Sequence, residues 1–76
     1  MNPTIHIRYD GQSFEADATE LDAGVLSTDQ AIKDAVAGYL TRMTDRQIPA
    51  SKLVDFVIDR NQDTGDVTVR PPAVFA

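Results

Sequence analysis

The sequence predicts an α+β domain of order ββαββ, a four-stranded sheet with one helix packed on one face. Three observations carry this. An Asp10-Gly11 pair separates two alternating stretches; a capping signal at Ser27 opens a run with helical spacing; and two further strand-like stretches follow an Ile48-Pro49 turn. Together they make residues 1–70 one domain and leave 71–76 as a C-terminal tail.

Thr4-Ile5-His6-Ile7-Arg8-Tyr9 alternates apolar and polar side chains, as a half-buried strand does. Asp10-Gly11 supplies the two positive-φ residues of a type I′ turn. That turn sets the register: Tyr9 faces Gln12, Ile7 faces Phe14 and Ile5 faces Ala16, with His6 opposite Glu15 and Arg8 opposite Ser13. All the apolar residues then share one face.

Residues 17–26 form a connection, with Leu21, Val25 and Leu26 as its expected anchors on the core. Ser27-Thr28-Asp29-Gln30 reads as a capping box, Ser27 accepting from the Gln30 amide and Gln30 reaching back. Asp29 complements the helix dipole. Ile32, Ala35, Val36, Tyr39, Leu40 and Met43 then recur on one helical face, with Lys33, Asp34, Ala37 and Thr41 opposite. Gly38 flanks the polar side, where a close backbone contact is one explanation for it. Beyond the helix, Ile48-Pro49-Ala50-Ser51-Lys52-Leu53 is a turn with two apolar anchors. Residues 55–59 form the third strand and 67–70 the fourth. Between them Asp63-Thr64-Gly65-Asp66 suits a type I turn with Gly65 at the left-handed position of a bulge. Pro71 and Pro72 lack amide donors, so ladder pairing ends there or sits at an edge.

Composition narrows the function classes. At 76 residues the chain holds one core of barely sufficient size. No apolar run approaches the roughly 20 residues of a membrane span, and Met1-Asn2-Pro3-Thr4 carries no secretion signal. Zero cysteines exclude disulfides and thiolate chemistry and fit a cytoplasmic setting. The net charge of -5, ten Asp against two Glu, opposes binding to a phosphate backbone. A solvated surface explains the scattered acidity better than mimicry of a nucleic acid.

The order hairpin, helix, Ile-Pro turn, hairpin resembles that of the ubiquitin-like β-grasp family. Asp10-Gly11, the helix from Thr28 to Met43, and Ile48-Pro49 leading to Leu53 and Phe56-Val57-Ile58 carry the resemblance. It implies a mixed sheet whose first and last strands run parallel at the centre, with the helix across one face. An all-antiparallel ββαββ sheet is the other arrangement the elements permit. Modifiers and sulfur carriers of this family end in Gly-Gly, the group their activating enzymes adenylate. Here the tail is Arg70-Pro71-Pro72-Ala73-Val74-Phe75-Ala76, with no glycine after Gly65 and only Lys33 and Lys52 as chain acceptors.

Candidate sites are few. His6, the only histidine, pairs more naturally with Glu15 across the hairpin than with Ser13 in a catalytic set, since no oxyanion hole accompanies it. The stretch 59–66 resembles the start of a calcium loop, but Thr64 and Arg70 stand where an EF-hand needs glycine and glutamate. The hairpin-loop reading is therefore preferred. Asp17 with Glu20, and Asp63 with Asp66, are carboxylate pairs without an apolar setting to make an acid of either. The tail is the feature most open to function. Ala73, Val74, Phe75 and Ala76 form an apolar segment that a partner's groove or sheet edge can capture, unless Val74 and Phe75 fold back over the chain's own core. The expectation is a small acidic cytoplasmic interaction module that engages a protein partner. It is expected to be no enzyme, to need no metal or cofactor, and to bind neither nucleic acid nor membrane. A ubiquitin-like modifier or carrier activated at its C-terminus is the alternative.

Overall fold

In the computed structural model, which describes residues 3–72, the first hairpin folds in the register that Asp10-Gly11 dictates. Asp10 has φ 53° and Gly11 φ 76°, the paired left-handed geometry of a type I′ turn. Strands β1 (Thr4–Tyr9) and β2 (Gln12–Asp17) pair antiparallel with Ile5 opposite Ala16, Ile7 opposite Phe14 and His6 opposite Glu15. The later strands are β3 (Val57–Asn61) and β4 (Asp66–Arg70), antiparallel to each other. β4 then runs parallel beside β1, Ile5 against Val67 and Ile7 against Val69. The sheet is four-stranded and mixed, in the order β2-β1-β4-β3, which rules out the all-antiparallel arrangement. The architecture is α+β and compatible with a β-grasp.

Two short segments depart from the sequence reading. The connection after β2 contains a four-residue helix, α1 (Ala18–Leu21), capped by Asp17, whose carboxylate accepts from the Thr19 amide. Leu21 and Val25 pack against the core as expected, but Leu26 is 92% exposed. The cause is a tight turn: the Ser27 amide bonds to the Gly24 carbonyl, and the Ser27 hydroxyl accepts from the Gly24 amide, both at 2.9 Å. That turn points Leu26 outward, while the small residues Ala18 and Ala23 fill the core beside it. The third strand begins two residues later than the pattern implied. The Phe56 amide donates at 2.9 Å to the Leu53 carbonyl, in the turn that follows the 3-10 segment Ala50–Leu53, rather than joining the ladder.

Helix α2 (Asp29–Thr44) is 16 residues long, about 24 Å. Its N-cap is Thr28, not Ser27: the Thr28 hydroxyl accepts from the Ala31 amide at 3.1 Å, because Ser27 is committed to Gly24. Gln30 turns forward to Asp34 at 2.9 Å instead of back to the cap. Ile32, Val36 and Leu40 are fully buried against Ile5, Ile7, Val67 and Val69, with Ile48 and Leu53 closing the core. Ala37, assigned to the polar side, is buried as well, since Ile48 and the 3-10 turn wrap that flank of the helix. Among the described residues, none lies within 4 Å of where a Cβ on Gly38 would sit, so no close contact accounts for it.

The other face of the sheet is polar. His6 lies between Glu15 and Asp66, 3.6 Å and 3.7 Å away, and Arg70 binds Asp59 at 2.8 Å. On the helix side, Arg60 crosses from β3 to the start of α2. There it donates to the Ser27 carbonyl at 2.8 Å and to Asp29 at 2.6 Å. Among the described residues, no helix is long and apolar enough to cross a membrane.

Candidate functional site

The end of the domain that carries the first hairpin's turn is incompletely covered by the helix. Tyr9 and Phe14 face the helix side of the sheet by register, but α2 stops at Thr44, where Asp45 adopts φ 56° and turns the chain toward Ile48. A groove of about 180 Å³ opens between these elements. Tyr9, Phe14, Met43 and Ile48 form its apolar walls, and Asp10 and Arg46 face each other at 4.0 Å across its rim. Met43, expected on the buried face of α2, is 57% exposed because it lies in the helix's last turn, beyond the sheet residues that could cover it.

The groove is rigidly framed. The Thr41 hydroxyl accepts from the Ile48 amide at 3.0 Å and donates to the Ile48 carbonyl at 3.1 Å, fixing the return of the chain after α2. The Tyr9 ring leans on Phe56, centroids 6.0 Å apart. Next to the groove, Met43 also borders a second depression with Tyr39, Arg42 and Glu20. There the Tyr39 hydroxyl donates to the Glu15 carbonyl at 2.9 Å. In a hairpin closed by a two-residue turn, Glu15 occupies a non-hydrogen-bonded position, so this carbonyl faces away from β1. Tyr39 thus occupies an acceptor on the outer edge of β2 and blunts that edge toward another strand.

The sites anticipated from sequence fare differently. His6 does sit opposite Glu15 on the exposed sheet face, and the parallel neighbour β4 adds Asp66, which sequence alone did not reveal. Among the described residues, no group of three or more His, Asp or Glu side chains is placed to hold a metal ion. In the 59–66 loop the would-be calcium ligands are turned onto the backbone. The Asn61 side chain accepts from the Asp63 and Thr64 amides, Thr64 accepts from the Asp66 amide, and Asp66 accepts from the Thr4 amide. Gly65, with φ 81°, takes the left-handed position expected of it. Asp17 caps α1, its carboxylate accepting from the Thr19 amide. The tail residues Ala73, Val74, Phe75 and Ala76 lie outside the described residues.

No family model matches this chain, and neither does any curated protein or solved structure. The site therefore rests on its own geometry. Its four apolar walls come from the two arms of a hairpin, a helix end and a turn. No sequence signal pointed toward it, since apolar spacing puts Met43 on the buried face of the helix and the other walls come from distant elements.

Proposed function

We propose that this chain is a small acidic ubiquitin-like interaction module of the cytoplasm, without catalytic activity, that docks a protein partner in the groove at the hairpin end. The ubiquitin-like assignment draws on the strand order and on the parallel β1–β4 pair beneath a single long helix. The docking assignment is carried by one observation: Met43 stands 57% exposed against Tyr9, Phe14 and Ile48. Tyr, Phe, Met and Arg are the residue types that interface centres concentrate, and Met adapts its shape to what it meets. Arg42 and Arg46 flank it as polar rim.

The test is affinity capture from the native host with three baits: the wild-type chain, Met43→Ser, and a chain ending at Arg70. The groove reading expects the partner to be lost on Met43→Ser, with helical circular dichroism unchanged. Retention of every partner by Met43→Ser, with loss on truncation, moves the site to the tail. Retention by both variants removes the groove and the tail alike.

A further inference from the structure

The groove and the point where the chain leaves the sheet lie at the same end of the molecule. β1 and β4 run parallel with Ile7 beside Val69, so two residues further on Tyr9 stands level with Pro71. From the other side Val57 pairs with Arg70, which brings Phe56 level with Pro71 as well. The Tyr9 and Phe56 rings meet at 6.0 Å across that point, and Tyr9 is also a wall of the groove. The backbone past β4 therefore sets out about one strand spacing, roughly 5 Å, from the strand that carries this wall. Pro71 and Pro72 are exposed, and their fixed φ narrows the directions the following residues can take.

The segment Ala73-Val74-Phe75-Ala76 lies outside the described residues, but covalent geometry limits its reach. Phe75 is three residues beyond Pro72, so its Cα travels at most about 10 Å from there. That distance takes in the groove. It falls short of the exposed Leu26, which sits by Pro3 at the far end of β1, roughly 20 Å away along the strand. Val54 and Val57 are also exposed, but they line neither the groove nor the depression beside it.

Size and charge single out the side chain. A dry apolar cavity on the order of 150 Å³ takes up benzene, so a slot of about 180 Å³ matches one phenyl ring. Tyr9, Phe14 and Met43 offer that ring two aromatic partners and a thioether. Residues 71–76 bear no ionisable side chain, so neither the net charge of -5 nor the Asp10–Arg46 pair opposes their approach.

We propose that Phe75 seats in the groove of its own chain and covers Met43 between Tyr9 and Phe14. The short tether holds the ring at an effective concentration in the millimolar range, so a contact too weak to join two molecules is still well populated. This contact needs no partner; only its consequence for one rests on the reading of the groove as a docking site. A protein that docks there must displace the segment, and its apparent affinity falls by the fraction of molecules whose groove is open.

Met43 reports on the contact, since a covered thioether is shielded from oxidation. The experiment is hydrogen peroxide treatment of the full chain, with free methionine as internal reference and mass spectrometry of the Met43 peptide. Phe75→Ser should oxidise at Met43 about threefold faster than the wild type, the ratio for a groove covered about two-thirds of the time. Phe75→Leu should stay near the wild-type rate, and circular dichroism should be unchanged in both variants. In the wild type, a nuclear Overhauser effect between the Phe75 ring and the Met43 methyl should persist on dilution. Equal oxidation in wild type and Phe75→Ser, or no such Overhauser effect, overturns the proposal. So does an effect that fades on dilution, which assigns the groove to the segment of a second molecule. The docking reading is judged apart, by capture: a partner lost on Met43→Ser should be enriched on Phe75→Ser. If no captured partner depends on Met43 while the Overhauser effect is present, the docking reading falls and the contact within the chain stands.

Discussion

The hydroxyl of Thr41 holds both backbone groups of Ile48, accepting from its amide at 3.0 Å and donating to its carbonyl at 3.1 Å. One side chain in the helix thereby serves as the hydrogen-bond partner of a residue seven positions later, at the point where the chain leaves α2. Ile48 is buried and forms one wall of the groove, so this contact links fold stability to the candidate site.

Replacing Thr41 by Val keeps the shape and removes both bonds, leaving two part-buried backbone groups without partners. The expected loss is about 1–3 kcal/mol in urea unfolding, and Thr41→Ser should recover most of it.

Arg60 ties β3 to the start of α2 through two acceptors of unequal worth. Asp29 is 66% exposed and its ion pair is largely screened, whereas the Ser27 carbonyl is part-buried. Arg60→Met should therefore cost about 2 kcal/mol and Asp29→Asn less than about 1 kcal/mol, read from chemical denaturation of the two variants side by side.

Gly38 stands in the interior of α2 with open space where a side chain would project. Gly38→Ala is expected to stabilise by about 0.5–1 kcal/mol. For a domain of this size that raises Tm by roughly 3–6 °C, measurable by calorimetry.

Gly65 and Gly11 both have positive φ, but among the described residues only Gly65 has a neighbour in the way: a Cβ there would lie 3.2 Å from the Pro3 Cβ. Ala at either site costs about 1–2 kcal/mol for the left-handed backbone. Gly65→Ala should be the more damaging of the pair, and thermal melts of both variants decide it.

What could be read in advance follows the range of the interactions involved. The first hairpin was legible to the residue because turn chemistry and alternation agree within 14 positions, Thr4 through Asp17. The helix body was legible from its apolar spacing, but its cap shifted by one residue once Ser27 was claimed by Gly24. Leu26 is turned outward by the local Gly24–Ser27 turn, whereas Met43 lies in the last turn of α2 with no sheet residue over it. Apolar spacing shows which residues can be buried, and only the placement of distant elements shows whether anything arrives to bury them. The groove was hidden on the same account, since Phe14, Met43 and Ile48 meet only after the sheet and helix have docked. The parallel neighbour of His6 was likewise invisible while two sheet arrangements remained open.

The central β1–β4 pair also bears on how the domain assembles. Thr4 donates to Asp66 across 62 positions, so the innermost seam of the sheet joins strands that lie far apart in the chain. The hairpins and the helix can form locally within microseconds, but that seam cannot close until the final strand is available, and long-range closure of this kind is slow. A nascent or clipped polypeptide lacking residues beyond Asp66 would keep Ile5 and Ile7 without the strand that shields them, and would aggregate rather than fold.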